Sequence, residues 1–366
     1  LKVSGYQLFW LVNISSMIVF SYLPLQLAAK ESRQDCWISI LLGALIMMAI
    51  TWLMLRVCKQ HADKTLVGFA KMLLGTVIGK CIVMGYFLLW FIQMSMIAKG
   101  MAEFQNLVML HNTPTIFILL CMLFLVTYAV YRGGIVAIGR CAEVIGPFFV
   151  FLLFAQLFLN PQDMDMKRML PVYADSGWLH ILKGTYYSIN YLVDPSIVLM
   201  LYYFAENKRS AARGIMWGTA VAMAWGVIMS LVLLFVTGPN MAAEMIVPVY
   251  SLTKFVSILN FIQNIDAFFI PLWLLGAFIK MGVDLFILSY GISEWTGIKN
   301  WKLVACLMSA VWLAYLIYSS HDIRMTASLK NVYLIGGFYP FVYVILPILL
   351  WLLGSIRQYR RSCSGS

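Results

Sequence analysis

The chain has 366 residues, of which 62% are hydrophobic and 11% charged, with a formal net charge of +11. Soluble domains are about 45–50% apolar and about 25% charged, so this composition excludes an ordinary water-soluble fold. The positive charge does not indicate a nucleic-acid partner, because the Lys and Arg residues sit in short segments between apolar stretches, as membrane topology demands.

Apolar runs of about 20 residues suffice to cross a hydrocarbon core of about 30 Å as helix. They predict spans at 7–28, 37–57, 79–101, 115–131 and 136–159, and five more at 183–204, 214–237, 262–290, 302–319 and 336–356. The first run lacks a basic leader and an Ala-x-Ala exit and carries Pro24 at its far end, so it is expected to be retained. Segments 65–75 and 243–259 are expected to form short helices along the interface. The cysteines lie mostly inside apolar spans without the paired spacings of zinc or redox sites, and read as packing residues. Gly75-x-x-x-Gly79 is a weak helix-packing motif.

The sequence therefore predicts an all-α integral membrane protein of about ten transmembrane helices, one polytopic domain over 1–366. A polar loop, 160–178, separates a first five-helix half (7–159) from a second (179–357), and 358–366 is a short tail. When loops are assigned alternately to two sides, most Lys and Arg residues fall on the side of the termini, among them Arg56, Lys59, Arg132, Arg140, Lys208 and Arg213. By the positive-inside rule both termini are cytoplasmic and 160–178 is extracytoplasmic. The five-plus-five division suits carriers built from two inverted halves, whose site lies mid-membrane where the first helix of each half is broken.

Polar residues fall at matching depths in those two helices. Asn13, Ser15, Ser16 and Met17 lie in the first span, and Asn190, Asp194, Pro195 and Ser196 in the sixth. Proline removes a backbone donor and disfavours helix in the residue before it. A plain proline kink, with serines bonded back to their own helices, is one reading. A substrate site is the other, favoured by the match between halves. Gln93, with Tyr86 and Ser95, is a candidate lining residue of the third span.

Embedded charges cost at least about 2.5–3.5 kcal/mol when they face lipid near the membrane centre, so they are expected to face protein or water. They are Glu143, Asp194, Asp266, Lys280 and Asp284. Lys280 and Asp284 are four apart and can pair; Glu143 reaches a comparable depth, which predicts a Glu143–Lys280 contact. Such charges either exchange a proton or replace a coupling cation, or else form a static pair that orients helices. The histidines fall at or near loops, and no metal cluster, phosphate loop or nucleophilic constellation is seen, so no enzyme, metal or cofactor is expected.

Several segments, in order, resemble the endospore germination permeases, the B subunits of nutrient germinant receptors. They are Gly5-Tyr6-Gln7, Tyr22-Leu23-Pro24, Asp35-Cys36-Trp37-Ile38, Met101-Ala102-Glu103, Asn112-Thr113-Pro114, Leu170-Pro171-Val172, Pro248-Val249-Tyr250-Ser251-Leu252 and 262–268, followed by Trp273 and Lys280. The resemblance implies an amino acid, polyamine and organocation permease fold of the LeuT-like type. It implies a spore inner-membrane receptor with an A subunit, itself a membrane protein, and a C-subunit lipoprotein, triggered by a small nutrient such as an amino acid. The chain departs from its relatives at Met17, Ile18 and Val19, where many carry Gly-x-Gly, at Val193-Asp194 for Gly-Glu, and at Asn264 and Asp266. Three functions stay open: a germinant-binding subunit, a proton-coupled amino-acid transporter, and a scaffold that binds nothing.

Overall fold

The computed structural model of the chain describes residues 1–20, 24–110, 112–159, 164–173, 177–192, 195–245, 247–253, 266–320, 338 and 340–364. Among these, regular structure is helical, and strand pairing is confined to one isolated bridge between Val3 and Ala205. In hydrocarbon every backbone N–H and C=O must be satisfied within the protein, and helices do this segment by segment.

The first span consists of α1 (Gly5–Phe20) and α2 (Pro24–Ser32), followed by α3 (Cys36–Gln60). A short amphipathic helix, α4 (Leu66–Leu74), leads to α5 (Thr76–Val108). Next, α6 (Thr115–Leu159) holds two spans that meet at Gly134, whose φ of 57° suits glycine alone at the corner. The second half opens with α7 (Gly177–Leu192), a 3-10 turn at Pro195–Ile197 and α8 (Val198–Leu201), which together form the sixth span. Then come α9 (Lys208–Glu244), α10 (Pro248–Thr253), α11 (Asp266–Thr296), α12 (Trp301–Ser320) and α13 (Leu346–Ser364). A π-helical turn, Phe341–Ile345, precedes α13, which runs on into the expected tail.

Six helical stretches among the described residues are long and apolar enough to cross a membrane, and Gly5–Val19, Pro195–Phe204 and Phe341–Arg357 are shorter apolar helices. The difference from ten has a physical origin: α6 contains two spans, the first helix of each half is divided into shorter pieces, and the last span is described only as the short helix Phe341–Arg357. Both interruptions belong to a five-plus-five inverted repeat. Val3 N–H donates to the Phe204 carbonyl at 2.9 Å and Glu206 N–H to the Val3 carbonyl at 3.0 Å, so the start of span 1 and the exit of span 6 share one end of the bundle. We call this the near end.

The closest helix apposition is between α1 and α9. A Cβ on Gly214 would lie 2.1 Å from the Gly5 carbonyl oxygen, and one on Gly218 2.6 Å from that of Phe9. Gly214-x-x-x-Gly218 is thus the small-residue contact that lets two membrane helices meet backbone to backbone. Of the expected Gly75-x-x-x-Gly79 motif, Gly75 closes α4 with a φ of 83°, and Gly79 is the packing glycine, where a Cβ would lie 2.7 Å from the Ala70 carbonyl oxygen.

The expected interface helix at 65–75 is α4, capped by Thr65, but it buries Leu66, Val67, Phe69 and Ala70 completely. It is clasped to the end of α11, with the Thr65 hydroxyl 2.5 Å from Glu294 and the Lys71 ammonium 3.2 Å from the Glu294 carbonyl. Part of 243–259 forms α10, while 246 and 254–259 lie outside the described residues. At the far end, Tyr173 N–H donates to the buried Asp35 carboxylate at 3.0 Å, and Arg168 donates to the Phe235 and Val236 carbonyls. The loop thereby straps the α2–α3 corner to α9. The cysteines divide: Cys36 and Cys58 are buried packing residues, whereas Cys81, Cys121 and Cys306 lie on the exposed face.

Candidate functional site

Three residues of α5, Tyr86, Trp90 and Gln93, follow i, i+4, i+7 spacing and present one face of the helix. Each reaches a different neighbour. The Trp90 indole donates to the Ser196 hydroxyl at 2.8 Å, just past the interruption of span 6. The Tyr86 hydroxyl donates to the Val342 carbonyl at 3.0 Å, and the Gln93 amide donates to the Tyr343 hydroxyl at 2.7 Å. Val342 and Tyr343 belong to the π-helical turn of the last span. Such turns displace carbonyls from the regular ladder, and they recur at functional positions.

Lys280 of α11 completes the junction. Its ammonium donates to Asp284 at 2.8 Å and to the Gln93 carbonyl oxygen at 3.4 Å, and both charged side chains are fully buried. The i, i+4 pairing expected from spacing is therefore present. The Glu143–Lys280 contact expected from depth is not what Glu143 makes, since its carboxylate accepts from the Gln7 side chain at 3.2 Å on the α1–α6 side. Comparable depth does not fix rotation about the helix axis.

The interruption of span 1 also differs in place from the sequence expectation. Residues 13–17 lie within continuous α1, which ends at Phe20. Two of their polar groups are accommodated without unwinding: Ser16 bonds back to the Val12 carbonyl at 2.7 Å, and the Asn13 side-chain N–H donates across to the Gly218 carbonyl at 3.1 Å, while the Asn13 Oδ1 is buried with no partner among the described residues. Asn13 and Ser15 are about 160° apart around the helix, so they cannot face one ligand from the same side. Asn13 serves the α1–α9 contact.

Ser15 is different. Several buried hydroxyls bond back one turn, as Ser16, Ser188, Thr219 and Ser309 do, whereas those of Ser15 and of Ser289 on α11 do not. Ser15 Oγ is buried and has no hydrogen-bond partner among the described residues. It lies about 60° from Ile18 around the helix, and Ile18 packs at Gly276 of α11, where a Cβ would come within 2.6 Å of it. Ser15 thus points to the flank of α1 beside α11. Met17 is fully buried.

On the far-end side of this level, Phe104 packs edge-on against Tyr250 and Trp273, with ring centroids 4.8 and 4.4 Å apart. Beside these rings is a small apolar cavity of about 20 Å³ lined by Phe149, Leu153, Tyr250, Phe269 and Trp273. Trp273 and Lys280 are seven residues apart, which sets the aromatic layer about 10 Å from the ion pair along α11.

Among the expected site residues, the structure thus joins Gln93, Ser196, Lys280 and Asp284 through α5. Pro195 is buried in the 3-10 turn beside Ser196. Asp194 and the side chains of Asn190 and Asp266 lie outside the described residues. Trp90 and Tyr343 were not singled out from sequence. The spacing of Trp90 between Tyr86 and Gln93 was the available signal, whereas nothing local to Tyr343 indicates its partner.

Replacing Tyr343 with Phe is expected to lower stability by about 1–3 kcal/mol, since the buried Gln93 amide loses its acceptor. Thermal unfolding in nanodiscs checks this, and combining it with Gln93→Leu should cost less than the sum of the single changes.

A profile of the spore germination protein family matches residues 2–323. Spore germination protein YndE of Bacillus subtilis is 20% identical over 356 residues, covering 95% of each chain. Spore germination protein GerQB of Bacillus cereus is 23% identical over 374 residues, covering 97% of this chain and 96% of its own. Among solved structures, the nucleobase-cation-symport-1 family transporter Mhp1 superposes with a TM-score of 0.63 at 12% identity, covering 87% of this chain and 72% of that one. A Na+-coupled sialic acid symporter gives 0.63 at 11% identity, covering 94% and 79%. At these identities the two transporters establish the LeuT-like fold alone.

Proposed function

Because the chain belongs to the spore germination permease family, we propose that it is the B subunit of a nutrient germinant receptor and binds a small nutrient, in the first instance an amino acid. Ser15 carries this reading most directly. A buried hydroxyl without a partner is costly unless something else meets it, and this one faces the flank of α1 beside α11. Carriers of this architecture meet the charged ends of a substrate where the first helix of each half is broken, and in this reading Asp194 is the side-chain partner for the ammonium group of the nutrient.

In this reading the halves are 7–159 and 179–357, both termini are cytoplasmic, and the nutrient enters at the far end past Phe104 and Trp273. Ligand that prefers one arrangement of the halves shifts their populations. An A subunit and a C lipoprotein in the spore inner membrane read the shift. The scaffold reading draws on the full burial of Met17 and Ile18, whose side chains fill space that the Gly-x-Gly implied by the family resemblance would leave open.

Ser15→Ala tests the choice cleanly. Removing an unpartnered hydroxyl leaves stability nearly unchanged, so receptor abundance in the spore membrane should hold. The germination dose–response is expected to move to about tenfold higher nutrient, the equivalent of one lost hydrogen bond to a charged group. An unaltered dose–response at unaltered abundance would remove Ser15 from the site.

A further inference from the structure

A cleft of about 480 Å³ opens at the near end between the last turns of α3 and the first turns of α9. Arg56, Lys59, Lys208, Arg209 and Arg213 line it, and no acidic side chain does. Lys208 is held by the Tyr202 and Tyr203 carbonyls at 2.9 Å. The other four are exposed, and none of them forms an ion pair among the described residues. The acids of this region, Asp63 and Glu206, are not part of the lining.

The order along each helix is informative. On α3 the sequence of one face runs Trp52, Arg56, Lys59, and on α9 it runs Trp217, Arg213, Arg209, so both stripes step from tryptophan to cations toward the near end. Trp52 and Trp217 are 49% and 66% exposed, and they lie about 6–12 Å deeper along their helices than the cations. Tryptophan favours the level of the membrane interface, with basic side chains just beyond it. On the membrane side of Trp52 the same face of α3 continues into exposed Leu45.

We propose that this cleft binds the headgroup of an anionic phospholipid. The guanidinium groups, which no carboxylate among the described residues neutralises and one of which, Arg56, stacks 4.6 Å over the Trp52 ring, take the phosphodiester with paired N–H donors, the tryptophans flank the glycerol region, and the apolar stripe beyond them accommodates an acyl chain. Basic pockets between membrane helices hold anionic lipid by this combination of charge and depth. The apolar stripe and the depth of the tryptophans favour a lipid over a free phosphate.

The test uses the purified full-length chain, delipidated in detergent and mixed with equal amounts of phosphatidylglycerol and phosphatidylcholine, with retained lipid counted by native mass spectrometry. The wild type should retain phosphatidylglycerol preferentially. In the Arg56→Gln/Arg213→Gln double variant that preference should fall by about tenfold or more. A control lacking two exposed cations elsewhere at the near end, Arg132→Gln/Lys299→Gln, should keep it. Both variants change exposed side chains, and circular dichroism verifies that each is folded. Equal retention of both lipids by the wild type, or equal loss in the two double variants, would overturn the proposal. So would protection by inorganic phosphate without lipid preference, which would make the cleft a phosphate site.

Discussion

Leucine in place of Gly218 is expected to stop the chain from reaching its folded state. A Cβ there would sit 2.6 Å from the Phe9 carbonyl oxygen and 3.4 Å from the Asn13 nitrogen, and both obstacles are backbone. Backbone cannot rotate aside as a side chain can, so α1 and α9 would have to separate. Overpacking of this kind costs about 1–3 kcal/mol and occasionally more. Separation also breaks the bond from the Asn13 amide to the Gly218 carbonyl, adding about 1–3 kcal/mol for buried groups left unsatisfied. Because α1 also carries Ser15, the damage should extend to ligand response. Gly218→Ala gives the graded version. Recovery of folded, monodisperse protein and its thermal midpoint in nanodiscs check the expectation, and an unchanged midpoint for Gly218→Leu would mean that the two helices do not meet as described.

The second large effect is expected at the buried ion pair. Lys280→Ala should destabilise the protein by about 3–5 kcal/mol, because Asp284 is left as a buried carboxylate without its 2.8 Å partner. Removing both charges with Lys280→Met and Asp284→Leu should restore most of the loss, since apolar replacements of a whole pair are often neutral. Thermal unfolding of the two single variants and the double variant yields the coupling directly. Full recovery of stability with loss of nutrient response would assign the pair to function. Recovery of both would make it a static pair that orients α11 against α5. If Lys280→Ala alone changes neither quantity, the pairing contributes nothing.

Much of this was readable from the sequence because the membrane is a simple solvent. Ten apolar runs, the five-plus-five division, and the Lys280–Asp284 pair follow from length, periodicity and i, i+4 spacing. The site was harder for a definite reason: polar residues in an apolar helix have several ways to be satisfied, and sequence does not say which is used. Asn13 finds a carbonyl on a helix 205 residues away, and Ser16 finds one in its own turn, so neither breaks α1. Glu143 has the right depth for Lys280 but the wrong face. Gly214 and Gly218 carry a standard packing spacing, yet their partners Gly5 and Phe9 become apparent only when α1 is laid against α9. Tyr343 was invisible because its role depends on a π-helical turn in the last span meeting the third.

In the proposed reading a carrier fold serves to sense a small nutrient. Its most direct test is equilibrium binding and time-dependent uptake of labelled amino acids by the purified chain in liposomes, with and without a proton gradient. Saturable binding that Ser15→Ala weakens, with no accumulation inside the vesicles, is the predicted result. Gradient-driven accumulation would contradict it and make the chain a working transporter.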